Sequence, residues 1–182
     1  SSLGDDEILF RDSVYEFADR EIRPLVRDMD EHARIPKALV DKLFDLGVMG
    51  IEIPTELGGG GARFFHAVLA VEALSRVDPS MGVLVDVQNT LVINAILRWA
   101  TEEQKTRILS RLASDTVGAY ALSEAGSGSD AFALACRATA DGDDWILNGS
   151  KIFITSAPYA GVFVVWAVTD RSAAKGKGIS CF

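Results

Sequence analysis

The segment Tyr120-Ala-Leu-Ser-Glu-Ala-Gly-Ser-Gly-Ser-Asp130 gathers glycines and hydroxyls where a strand runs out into a loop. Glycine lets a backbone approach a ligand closely, and successive N–H groups in such a loop form a concavity that takes an anion such as a pyrophosphate. Taken alone, the same loop reads as a flexible turn between two strands. No G-x-x-x-x-G-K-[ST] pattern and no G-x-G-x-x-G between a strand and a helix is present, so the common nucleotide-binding folds are not supported. The two Cys and two His sit at no metal-ligand spacing, which speaks against a zinc site and a disulfide framework. Cys136 and Cys181 read as free, mostly buried thiols, and His32 and His66 as surface or helix-capping residues.

The elements that must carry these residues fall into two groups. Ile8, Leu9, Val14, Phe17, Ala18, Ile22, Leu25, Val26 and Met29 recur at helical spacing, with Pro24 as a kink. A second helix spans about Lys37 to Leu46 and stops at Gly47; a third runs from about Phe64 to Val77 and ends before Asp78-Pro79. The most apolar stretch, Met81 to Leu97, is interrupted by Asp86, Gln88, Asn89, Thr90 and Asn94, which suits a buried helix with polar positions better than a lipid-facing one. Thr101-Glu-Glu-Gln104 is a capping box opening a fifth helix. From Val117 the period becomes strand-like: Gly118 to Leu122, Leu134 to Ala140, Asp144 to Leu147, Lys151 to Thr155, Val162 to Val168, and a last run from Gly178. Asp141-Gly142 and Asn148-Gly149 are hairpin-turn signals. Helices first and strands afterwards predict an α+β chain, with an all-α domain over 1–116 and a β domain over 117–182.

Of the 182 residues, 48% are hydrophobic and the formal net charge is −8, as expected of a globular protein. Residues 1–116 hold 13 basic and 20 acidic residues, whereas 117–182 hold 5 and 6. An acidic balance disfavours nucleic-acid and anionic-membrane partners. The N-terminal residues carry neither a basic nor an apolar signal region. Trp99, Trp145 and Trp166 read as packing anchors. The apolar run Ile179-Ser-Cys-Phe182 has no turn or polar tail after it, so the sequence reads as part of a longer protein.

Four motifs in order, Gly50-Ile-Glu-Ile-Pro-Thr-Glu-Leu-Gly-Gly59, Thr101-Glu-Glu-Gln-Lys105, Tyr120 to Asp130, and Leu147-Asn-Gly-Ser-Lys-Ile-Phe-Ile-Thr155, resemble the acyl-CoA dehydrogenase family over essentially the whole chain. Leu122-Ser-Glu-Ala-Gly-Ser-Gly-Ser-Asp-Ala-Phe-Ala-Leu134 is most similar to its short/branched-chain branch. The resemblance implies an N-terminal helical domain, the first strands of a β-barrel-like middle domain, and a C-terminal helical bundle lying outside these residues. It implies FAD as cofactor, acyl-CoA as substrate, α,β-dehydrogenation to the 2-enoyl-CoA, electron-transfer flavoprotein as electron acceptor and a homotetramer. The compartment would be the cytoplasm of a bacterium or the mitochondrial matrix of a eukaryote. Relatives of the same superfamily are acyl-CoA oxidases and flavin monooxygenases, and a non-catalytic subunit or interaction module would share the fold.

Carried over by position, the resemblance makes Tyr120, Ala121, Leu122, Ser123, Glu124, Ala125, Gly126, Ser127, Gly128 and Ser129 a flavin-binding segment. The Leu122 amide and the Ser123 hydroxyl and amide would face the pyrimidine edge. Gly126, Gly128 and Ser129 would lie along the pyrophosphate or the CoA side, with Ser129 touching the thioester ligand. Phe153, Ile154 and Thr155 form the second flavin segment, with Phe where the family usually has Trp, and Thr155 directed near flavin N5. A lone Phe-Ile-Thr in a strand would be core; its distance from the first segment is what marks it. Val87, Gln88 and Leu91 are candidates for contacting the acyl chain, or are helix core. No catalytic residue is assigned within the chain, because the glutamate base of this branch is expected beyond Phe182. Around Ala174-Lys-Gly-Lys177 no aromatic residue occupies the place where the family often has a Tyr near CoA.

Overall fold

The computed structural model describes residues 3–182, which divide into two compact units, 3–117 and 118–182. The first is helical: α1 (Asp5–Phe17), α2 (Val26–His32), α3 (Lys37–Asp45), α4 (Phe64–Ser75), α5 (Pro79–Asp86), α6 (Asn94–Trp99) and α7 (Glu102–Ser114). The long first helix expected from the periodicity is interrupted. Pro24 has no N–H for the carbonyl four residues back, and the ladder changes to a π-turn over Ala18–Ile22 and a 3-10 turn over Arg23–Leu25 before α2 resumes. Asp78 caps α5 by accepting from the Ser80 and Met81 N–H groups at 2.7 and 3.1 Å, with Pro79 in the first turn. The Thr101–Gln104 capping box forms in both directions, at 2.9 and 3.2 Å.

Between α5 and α6 the chain stays helical but widens into a π-segment, Val87–Ile93. Asn89 Nδ2 donates to the Val85 carbonyl, four residues back and at 2.9 Å, and thereby enters the ladder itself. The continuous rod Pro79–Trp99 is 21 residues, long and apolar enough by length and composition to cross a membrane. Its Met81, Leu84, Val85, Val92 and Ile93 are instead buried in the helical core, alongside a buried Gln88 and Asn89 that hydrogen-bond to protein. Trp99 is not the packing anchor expected of it: at the end of α6 it is 80% exposed. The glycine run after the 3-10 turn Thr55–Leu57 folds back on 50–53, with Gly60 and Gly61 donating to the Gly50 and Ile53 carbonyls at 2.9 Å. Gly59 lies so close that a Cβ there would sit 2.2 Å from the Ile53 oxygen.

The second unit is a sheet of β1 (Val117–Ala121), β2 (Arg137–Asp141), β3 (Asp144–Asn148), β4 (Ala160–Val168) and β5 (Ile179–Cys181). Its order is β1-β4-β2-β3, and β5 also pairs with β4. β2 and β3 form an antiparallel hairpin, Arg137 opposite Asn148 and Asp141 opposite Asp144, turned at Gly142 with φ 63°. β5 pairs antiparallel with β4, Trp166 opposite Cys181. Cys136, Ala138 and Ala167 form a buried cluster against which Phe182 packs, and Trp145 stands 5.3 Å from the Phe182 ring.

Three expectations are corrected here. Lys151 to Thr155 is not a strand: Phe153 and Ser156 have φ of 56° and 65°, which breaks any extended run. Asn148-Gly149 does not make a hairpin; the chain leaves β3 into this irregular segment because Gly149 passes directly over Cys136. Cys136 is buried, but Cys181 is exposed.

Candidate functional site

β1 delivers Tyr120 and Ala121 to the rim of the sheet, and Leu122 to Ser129 follow as a loop. The loop closes on itself through paired bonds, Glu124 N–H to the Ser127 carbonyl at 2.9 Å and Ser127 N–H to the Glu124 carbonyl at 3.0 Å, with Ala125 and Gly126 at the corner. Ser127 turns inward, 2% exposed, and its hydroxyl donates to the Asp130 carbonyl at 2.9 Å. Gly126, Gly128 and Ser129 face outward. A Cβ on Gly126 or Gly128 would meet nothing within 4 Å, and neither has a positive φ. The protein therefore needs glycine at these positions neither for its backbone nor for its packing. What glycine preserves there is open space over exposed N–H groups, room for an anionic ligand to settle close.

The two expected flavin segments are brought together by a buried ion pair. Lys151 Nζ lies 2.8 Å from Glu124 Oε1, each side chain only 10% exposed, and it also donates to the Leu122 carbonyl at 2.9 Å. The Ile152 N–H adds a bond to the Ser123 carbonyl at 2.9 Å. Glu124 receives two further donors, the Ala135 and Cys136 N–H groups at 2.6 and 3.0 Å. Burial alone would push its pKa up, but the bonds from Lys151, Ala135 and Cys136 prevail and hold the carboxyl below the usual glutamate range. Glu124 is thus a clamp whose oxygens are committed to the protein. Lys151 was not singled out by the sequence; the signal available was a lone basic residue opening an apolar run in a half with almost no net charge.

Past the clamp, Phe153 stands 92% exposed on its left-handed backbone, offering a flat apolar face to solvent. Ile154 and Thr155 follow in the turn closed by Ala157 N–H to the Ile154 carbonyl at 3.2 Å. The Ser123 N–H has no acceptor among the described hydrogen bonds. An unpartnered amide, an exposed aromatic face and an open glycine corner within one stapled pair of segments suit a planar heteroaromatic ring carrying a phosphate tail.

Two hollows flank the loop. A groove of about 860 Å³ is bordered by Ala125, Gly126, Arg137, Ile146, Ser150 and Arg171. A smaller one of about 210 Å³ lies among Tyr120, Leu122, Phe132, Trp166 and Gly176. Burial pushes the Tyr120 phenol up, its ring 6.1 Å from that of Trp166. Phe132 covers Gly176, where a Cβ would meet the ring at 2.9 Å, and Lys175 reaches Asp130 at 3.1 Å. The stretch that lacks the family's Tyr is thereby tied to the glycine loop.

The acyl-chain candidates belong to the helical unit. Val87 is buried and Leu91 is 38% exposed, while Gln88 is 1% exposed and donates to the Leu112 and Thr116 carbonyls at 3.1 and 3.2 Å, a bond from the π-segment to the end of α7. Among the described residues no group of three or more His, Cys, Asp or Glu could hold a metal.

A probable short/branched chain specific acyl-CoA dehydrogenase of Dictyostelium discoideum is 47% identical over 100% of this chain, which spans 44% of that protein's length. A solved structure of the electron transferring flavoprotein of Acidaminococcus fermentans superposes with TM-score 0.94 at 39% identity, covering 100% of this chain and 48% of that one. A glutaryl-CoA dehydrogenase from Mycobacterium smegmatis in complex with FADH2 superposes with TM-score 0.89 at 36% identity, over 99% of this chain and 45% of that one. The N-terminal domain of acyl-CoA dehydrogenase matches residues 4–116 and its middle domain matches 119–182. Two domains of one enzyme, met in order and leaving almost no residue unmatched, settle the lineage: this chain belongs to the acyl-CoA dehydrogenase family.

Proposed function

We propose that the chain is the FAD-holding portion of an acyl-CoA dehydrogenase that converts a short or branched acyl-CoA to its 2-enoyl-CoA and passes the electrons to an electron-transfer flavoprotein. The observation that carries this reading is the stapled pair of segments, which sets the unpartnered Ser123 N–H and the exposed Phe153 face in one site. FAD, when bound, supplies the two-electron acceptor that takes the β-hydride of the substrate.

The chain's own residues do the holding. Phe153 covers one face of the ring and keeps water from it. The Ser123 N–H donates to the pyrimidine edge, where negative charge collects on reduction, so the site favours the reduced state. The Thr155 hydroxyl stands near N5, and the N–H groups around Gly126 and Gly128 receive the pyrophosphate. Ser129, exposed at the outer end of the loop, contacts the CoA thioester, and Leu91 and Val87 contribute to the acyl wall. Glu124 is not the base that removes the α-proton: both its oxygens accept from protein, three donors in all, and these hold its pKa below the usual glutamate range. That proton is taken by a group outside residues 1–182. The short/branched preference rests on the Dictyostelium relative, and the electron acceptor on the Acidaminococcus structure. The family's homotetramer, in the cytoplasm of a bacterium or the matrix of a mitochondrion, completes the reading.

Two measurements test it. The chain should quench FAD fluorescence on titration. The full-length polypeptide should be bleached anaerobically by isobutyryl- or 2-methylbutyryl-CoA and reoxidised faster by an electron-transfer flavoprotein than by oxygen. Rapid oxygen consumption with peroxide release would instead make it an oxidase.

A further inference from the structure

Glu124 and Lys151 do more than join two loops. The peptide unit is planar and trans, so a carbonyl and the N–H of the following residue point in opposite directions. Lys151 Nζ holds the Leu122 carbonyl at 2.9 Å, and this aims the Ser123 N–H away from the lysine, toward the side on which it finds no protein acceptor. The next peptide follows the same rule with both ends visible. The Ile152 N–H takes the Ser123 carbonyl at 2.9 Å, and the Glu124 N–H opposite it meets the Ser127 carbonyl at 2.9 Å. The Leu122–Ser123 peptide is thus held from one side and the Ser123–Glu124 peptide from both. In the first of them the locking group is a side chain, itself fixed because Glu124 is anchored by the Ala135 and Cys136 amides at the entrance to β2.

We propose that Lys151 is a positioning residue for the flavin: carried by Glu124, it sets the plane of the Leu122–Ser123 peptide so that the Ser123 N–H meets the pyrimidine edge, and through that bond it raises the reduction potential. The inference rests on the flavin reading of this site and adds to it a residue that touches no part of the cofactor. A clamp that only held the fold would alter stability and leave the potential where it was. A lever on the amide alters the two flavin redox states unequally, because the donor it aims is worth more to the reduced, negatively charged ring.

The test is the midpoint potential of FAD bound to the chain, read by dye equilibration, together with the affinity for oxidised FAD read by fluorescence quenching. In Lys151→Met the affinity for reduced flavin should fall about tenfold more than that for oxidised flavin, which for a two-electron couple is a potential about 30 mV more negative. Lys151→Arg, which keeps a donor and the charge, should recover most of the difference. If Lys151→Met does not fold, the double variant Glu124→Gln/Lys151→Met removes both buried charges together, and the same shift is expected of it. A wild-type chain that binds FAD, with variants whose potential is unchanged, overturns the lever and leaves the functional reading standing. A wild-type chain that binds no FAD overturns both.

Discussion

The side chain of Asn89 receives the Ile51 N–H at 3.0 Å and returns its own amide hydrogens to the Val48 carbonyl at 2.8 Å and the Val85 carbonyl at 2.9 Å. One fully buried residue therefore ties the π-segment to the loop that follows α3. Replacing it with Ala would leave a buried N–H and parts of two carbonyls without partners, at a cost of about 3 kcal/mol. Urea unfolding should show Asn89→Ala strongly destabilised, whereas Thr90→Ala, which removes only a partly buried bond to Asp86, should lose about 1 kcal/mol or less.

Two glycines only 23 positions apart should respond oppositely to a methyl group. At Gly149 a Cβ would lie 2.7 Å from Cys136 Cα, a backbone atom that cannot swing aside. Gly149→Ala should lower the stability of the β unit by about 3 kcal/mol. At Gly126 the added atom meets nothing, so Gly126→Ala should unfold like the wild type, while FAD binding should weaken because the methyl group would enter the corner proposed for the pyrophosphate. Thermal melts beside flavin titrations of the two variants separate these outcomes.

The same positions show where the sequence was legible. Caps are written in neighbouring residues, so Thr101 to Gln104 could be read directly; Asp78-Pro79 was read as the stop of the helix before it, and the switch of period near Val117 marked the change from helices to strands. Gly149 could not be read, because its requirement is a close approach to Cys136, 13 residues earlier. Asn-Gly signalled a local turn, and a tertiary contact had claimed the glycine instead. Lys151 to Thr155 alternates like a strand, yet the Glu124–Lys151 pair and the Ile152–Ser123 bond hold it against a loop, and that non-local attachment overrides β propensity. By residue type Phe153-Ile-Thr155 read as core, and only its distance from the Tyr120–Asp130 segment raised the flavin expectation. Its positive-φ geometry, which lifts Phe153 into solvent, was not legible.

The clamp also gives the chain an acid sensitivity of defined sign. Glu124 binds its proton less readily folded than unfolded, its carboxyl lying below the ordinary 4.5. The unfolded chain therefore takes up this proton first as pH falls. The stability the group contributes is complete above the unfolded value, begins to fade at about pH 5, and is gone once pH has passed below the folded value. Glu124→Gln lacks this titration. It should be less stable than wild type by about 3 kcal/mol at neutral pH, with the gap closing as the medium is acidified below about pH 5. Urea midpoints of the two proteins over that range check it, and a gap that widens in acid would contradict the assignment.

Phe153 provides the sharpest separation of binding from folding. A side chain 92% exposed buries almost nothing in the chain alone, and its φ of 56° is one that glycine adopts more easily than phenylalanine. Phe153→Gly relieves that conformation but gives the unfolded chain more freedom, and the two effects oppose each other, so the stability of the ligand-free chain should stay within about 1 kcal/mol of wild type. Loss of the aromatic face against the isoalloxazine should reduce FAD affinity about tenfold or more. Phe153→Trp, with the larger ring usual in the family, should bind at least as tightly as wild type. If Phe153→Gly unfolds early, the ring is packing within the protein; if it folds normally and binds FAD unchanged, the ring is not the flavin's partner.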